Sequence, residues 1–173
     1  MRKVIILTLL LCSLSIPSPG MAKDGFTISL SLVVGERSRD SHAETTIITL
    51  VGETLVYEQK YSGFGASSRT PLSREFKLKG SEINHLKSLI KEKNLLGSGG
   101  LKFKPLAGQF TYFEMNIKIT LKGIIAAQEL SGPRDGAKIK EERVYQKSVA
   151  LLRELYRLIN LRDQSITYQE LVS

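Results

Sequence analysis

The clearest pattern in the chain lies in residues 113–121, where Phe113, Met115, Ile117, Ile119 and Leu121 alternate strictly with Glu114, Asn116, Lys118 and Thr120. A period of two sends the apolar set to one face of a strand and the polar set to the other. Lys122-Gly123 then breaks the run and residues 124–130 return, so the spacing predicts a β-hairpin with one oily face. The same alternation recurs over residues 26–34, with Phe26, Ile28, Leu30, Leu32 and Val34 in phase. Residues 45–51 and 54–61 are rich in β-branched and aromatic side chains and are split by Gly52-Glu53, which predicts a second hairpin. A short strand over residues 75–79 brings the expected number to about six.

Elsewhere the period lengthens. Ile83, Leu86, Leu89 and Ile90 recur at three- and four-residue spacing, which predicts a helix running to about Lys93, with Ser81 as its N-cap and Glu82 in its first turn. Gly97-Ser98-Gly99-Gly100 reads as the flexible connection that follows it. A longer helix is expected from Ala137 to about Leu161, with Tyr145, Val149, Leu152, Tyr156 and Ile159 on one face and Leu155 beside it. Residues 35–43, 62–73, 101–109 and 131–136 read as connections, and residues 163–173 as a C-terminal tail that Ile166, Tyr168 and Leu171 could dock. Strands and helices each with one apolar face imply an α+β domain over residues 23–162. Its sheet is mainly antiparallel, with two amphipathic helices covering one face.

The start of the chain alters where this domain is expected to work. Arg2-Lys3 precedes an apolar run over residues 4–11, Pro17 and Pro19 break the following stretch, and Gly20-Met21-Ala22 offers small residues at the positions a signal peptidase reads. We expect residues 1–22 to be a signal peptide and the protein to be exported, periplasmic or extracellular, with no transmembrane anchor after cleavage. Cys12, the single cysteine, follows Leu11 where lipidation would want a small residue, and it leaves with the signal. Thiol catalysis and cysteine-held metals are then excluded for the mature chain, which must fold without a disulfide.

The chain carries 25 Lys and Arg against 17 Asp and Glu, a formal net charge of +8, and the signal removes two of those cations. Such an excess biases towards an anionic envelope component or an acidic protein surface without choosing between them. Lys77, Lys79, Lys87, Lys91, Lys93, Lys102 and Lys104 crowd the middle third, and Lys138, Lys140, Arg143 and Lys147 open the last helix. They lack the interleaved exposed aromatics of a nucleic-acid groove, so nucleic acid is not an expected partner.

Catalytic signatures are absent from the sequence. His42 sits in a charged stretch and His85 beside a helix stripe, too far apart in pattern to suggest a metal site. Asp24, Asp40, Asp135 and Asp163 fall in turn-like segments, where capping explains them. Ser88-Leu89-Ile90-Lys91 matches a serine-lysine spacing on a helix, but both residues lie off the apolar stripe, where a solvated face accounts for them. No catalytic residue, metal or cofactor is assigned. The segment that invites recognition is residues 62–73, where Phe64 stands between Gly63 and Gly65, Tyr61 precedes it and Arg69 follows. Aromatic and guanidinium groups most often dominate protein contacts, so Phe64, Arg69 and Tyr61 are the candidate binding residues.

The order of elements across roughly residues 26–159, including EFKLKGSEINHLKSLIKEKNL and FEMNIKITLKG, resembles small exported bacterial domains of unknown function and, more remotely, emfourin-type proteinaceous inhibitors of metalloproteases. The resemblance is one of layout, and it implies an exported α+β fold with no inhibitory residue carried over. The expectation is therefore a non-enzymatic exported binding protein, of the kind that inhibits an extracytoplasmic enzyme. The partner would be an unidentified protein or an anionic envelope component. The alternatives are an envelope hydrolase with an unrecognised acidic site and an anion-binding surface protein.

Overall fold

The computed structural model describes residues 25–36, 42–63, 65–97, 99–103, 111–134 and 137–171. The expected signal peptide, residues 1–22, and Phe64 lie outside them. Seven strands form one sheet: β1 (Thr27–Glu36), β2 (His42–Val51), β3 (Thr54–Gly63), β4 (Leu72–Lys77), β5 (Gly99–Lys102), β6 (Thr111–Leu121) and β7 (Ile124–Pro133). Their spatial order is β4-β3-β2-β1-β6-β7-β5, with every neighbouring pair antiparallel except the parallel β5–β7 edge. The fold is α+β, as the alternation predicts.

Register explains why β1 sits at the centre. Leu30 pairs with Ile48 on β2 and with Ile117 on β6, and Ile28 with Leu50 and Ile119, so its inward side chains have apolar neighbours on both sides. A slip of one residue would send that whole set to the opposite face. Both expected hairpins form. Gly52 at φ 61° opens the β2–β3 turn, and Lys122 and Gly123 both have positive φ, the pairing that matches strand twist.

Among the described residues three α-helices accompany the sheet: α1 (Gly80–Glu92), α2 (Ala137–Glu141) and α3 (Arg143–Asn160). Ile83, Leu86 and Ile90 of α1, and Tyr145, Val149, Leu152, Leu155 and Ile159 of α3, join the inward strand residues in one core. Tyr145 meets Phe113 of β6 edge-on with ring centroids 6.0 Å apart. Inside this core the Ser148 hydroxyl donates to Gln128 Oε1 at 2.8 Å and the Gln128 amide donates to Leu95 O at 3.3 Å, linking α3, β7 and the end of α1. The opposite sheet face carries exposed Ser29, Asn116, Lys118, Ala127 and Glu129.

Several boundaries differ from the sequence reading. The N-cap of α1 is Lys79, not Ser81, because the Glu82 carboxylate reaches back to accept the Lys79 backbone N–H at 2.7 Å. The same helix closes at Asn94 (φ 50°), with Leu95 N donating to Ile90 O, before the glycine stretch is reached. Gly99 and Gly100 are not a flexible connection but part of β5, paired with Gln128 and Glu129. The expected last helix is two, because Glu142 adopts an extended conformation between them. Of the expected connection over residues 62–73, both ends belong to strands, since Ser62 and Gly63 continue β3 and β4 begins at Leu72.

Candidate functional site

The inward phase of β1, β2 and β3 is apolar over only part of its length. Along β1 it runs Phe26, Ile28, Leu30, Leu32, Val34 and then Glu36; along β2, His42, Glu44 and Thr46 precede Ile48 and Leu50; along β3, Tyr57, Gln59 and Tyr61 follow Leu55. Pairing brings the polar ends together, because Glu44 lies opposite both Val34 and Tyr61, and Thr46 opposite both Leu32 and Gln59. They line a cleft of about 360 Å³ on the face that the helices cover elsewhere.

The C-terminal tail builds the opposite wall. Asp163 accepts from the backbone N–H and hydroxyl of Ser165, turning the chain back after α3, and Ile166 and Leu171 are buried. Tyr168 packs edge-on against Tyr156 of α3 at 5.7 Å, and Arg153 lies over its ring. Arg134, just after β7, donates from Nε to Leu171 O and from its terminal nitrogen to Glu170 O, each at 3.0 Å. Arg153 also pairs with Glu170 at 2.5 Å. Residues 167–171 thus lie along the cleft, held by Arg134 on its lining and by Arg153 of α3.

At the bottom, Thr46, Tyr57 and Tyr156 are each more than nine-tenths buried, and their hydroxyls lie within hydrogen-bonding reach of one another. Burial pushes the Tyr57 hydroxyl above the usual phenol range, with Tyr156 and the charge on Glu44 adding to it; burial raises Tyr156 as well. The floor is therefore a set of protonated hydroxyls. Above it, Glu44 is half-buried and accepts from the Gln59 amide at 2.6 Å. Toward the rim, Glu36 and His42 stand 3.9 Å apart at the closest oxygen and nitrogen.

Of the three sequence candidates, the structure brings two together. The Arg69 guanidinium lies 5.2 Å from the centroid of the Tyr61 ring, and both line the cleft. Tyr61 is placed by the inward phase of β3, and Arg69 by the short 3₁₀ turn Ala66–Ser68 that follows Gly65. Glu36, Glu44 and Gln59 are not among the sequence candidates, and His42 and Tyr168 enter the sequence reading only as a histidine in a charged stretch and as a residue that docks the tail. For the four strand residues the signal is a polar residue standing where alternation calls for an apolar one; Tyr168 lies in the tail, where no alternation applies.

The lining supplies carboxylate, hydroxyl, amide and aromatic groups, and it suits capture of a polar ligand through hydrogen bonds and ring contacts. Among the described residues, no three His, Cys, Asp or Glu side chains converge to hold a metal ion, and no helix is long and apolar enough to cross a membrane. His85, the second histidine, lies on α1 with its Nε2 3.4 Å from Glu154. No protein-family model matches the chain, and no curated protein matches it.

Proposed function

We propose that this chain is a non-enzymatic exported binding protein whose partner enters the cleft between the polar ends of β1–β3 and residues 167–171. The observation that carries this is the run of polar side chains on the core-facing phase of three adjacent strands. Placing Glu44 and Gln59 there forgoes apolar burial, a loss of about 1.5–3 kcal/mol for each aliphatic side chain that could have been buried instead. A sheet tolerates such a cost where the groups do something other than hold the fold. Tyr61 and Arg69 at the rim add the side-chain types that most often dominate protein contacts, which agrees with inhibition of an extracytoplasmic enzyme as the form that binding takes.

Site-directed photo-crosslinking in the exporting host tests this. A photoreactive residue at Gln169, on the cleft, should give discrete adducts that disappear when Glu44 and Gln59 are both replaced by leucine. The same probe at Thr49, on the opposite sheet face, should give none. Adducts from Thr49 alone, or Gln169 adducts indifferent to the double replacement, would move the site elsewhere.

A further inference from the structure

Three carboxylates, Glu36, Glu44 and Glu170, and two guanidinium groups, Arg69 and Arg134, line the cleft. Its two guanidinium groups are already engaged, Arg134 with the carbonyls of Glu170 and Leu171 and Arg69 with the Tyr61 ring. Glu170 has Arg153 as its partner. Glu44 is different. It is half-buried, its hydrogen-bond donor is the neutral Gln59 amide, and it makes no ion pair among the described residues. A carboxylate partly removed from water without a counter-ion is costly, and in a chain with 25 Lys and Arg a partner could have been supplied internally. Glu36 stands on the same wall, 3.9 Å from His42 Nδ1, a distance too long for a hydrogen bond. Beneath them the deeply buried Thr46, Tyr57 and Tyr156 line the floor.

We infer that the cleft takes an organic cation, a protonated amine or guanidinium, with its N–H groups on Glu44 and Glu36 and its carbon stem against the tyrosine rings. This rests on the cleft being the binding site and specifies what it binds. Carboxylates give a charged hydrogen bond about twice the strength of a neutral one, and the aromatic walls add cation–π attraction of about 0.5–2 kcal/mol. The cation can arrive as a lysine or arginine side chain of a protein partner or as a free polyamine. A phosphate or sulfate group would be repelled by Glu36 and Glu44 and would have to draw Arg134 from its carbonyl acceptors and Arg69 from the Tyr61 ring.

The test is a two-dimensional NMR titration of the purified exported chain with acetyl-Gly-Lys-Gly-amide, the same peptide acetylated on its lysine side chain, spermidine and inorganic phosphate. The lysine peptide, spermidine or both should shift the Glu44, Gln59 and Tyr61 amides, and which of them does so separates the two sources. The acetylated peptide and phosphate should leave those amides unmoved. Glu44→Gln and Glu36→Gln should each weaken the response about tenfold, whereas Glu129→Gln on the opposite face should leave it unchanged. Glu36 is half-exposed, so its variant remains informative even if Glu44→Gln perturbs folding. Equal shifts from the acetylated peptide, no shift from either cation, or responses indifferent to both variants would overturn the inference. If the cations fail while Gln169 crosslinks persist, the cleft remains the binding site and only its ligand class is lost.

Discussion

Arg162 illustrates how much one side chain does at the end of α3. It donates to Glu82 Oε2 at 2.6 Å, to Leu158 O at 2.8 Å and to Lys77 O at 3.3 Å, tying α3 to the start of α1 and the end of β4. Burial alone would raise the Glu82 carboxyl, but the hydrogen bonds from Arg162 and the Lys79 backbone outweigh it and hold it below the usual carboxylate range. A folded-state value below the unfolded one means the stabilisation is present above the ordinary carboxylate pKa of about 4.3 and is lost as pH falls through the folded value. Arg162→Ala should therefore cost about 1–3 kcal/mol at pH 7, with the gap from the parent narrowing in acid below that range. Urea unfolding of both proteins at the two pH values checks this, and a difference under about 0.5 kcal/mol at pH 7 would make the bridge ornamental. Lys77 and Glu82 lie far from Arg162 in the chain, so local pattern could not reveal those two partners. Tyr61 and Arg69, which line the cleft, stand out in the sequence by residue type, whereas Glu44 and Gln59 become conspicuous only once the phase of β2 and β3 is fixed.

Among the elements, alternation and helical spacing located most strands and both long helices, because each has one buried face over most of its length. They failed where an element owes its form to its neighbours. Strand β5 contains Gly99 and Gly100, poor strand formers, and exists through parallel pairing with β7, where a Cβ on Gly100 would stand 3.3 Å from Glu129 O. The break between α2 and α3 is of the same kind. Turning at Glu142 lays Ile139 of α2 onto β7 at Gly132, and a Cβ added there would meet Ile139 Cδ1 at 2.7 Å and Phe103 Cβ at 3.2 Å. Gly132→Ala should thus destabilise by about 1–3 kcal/mol through overpacking. Adding Ile139→Val, which removes the clashing methyl, should recover part of that loss. Thermal and denaturant midpoints of the single and double variants test the contact, and no recovery in the double variant would contradict it.

At the scale of the whole molecule, a single α+β layer pair was legible because every strong apolar face needs a partner and helices are the covers the chain provides. Strand order was not. Placing β1 between β2 and β6 joins segments some ninety residues apart, as in the pairing of Leu30 with Ile117, and periodicity carries no information about such partners. The cleft inherits that opacity, since it exists only where β1–β3 and residues 167–171 converge.

The central claim is that the polar residues on this core-facing surface serve a ligand and not the fold. Replacing Glu44 and Gln59 by leucine together removes both members of their hydrogen bond and leaves neither unpaired. The decisive measurement is the unfolding free energy of that double variant by urea titration at pH 7. The account predicts stability equal to or above the parent's, with an unchanged denaturant slope. A loss of more than about 2 kcal/mol would show that the pair holds the sheet together, and would contradict the claim.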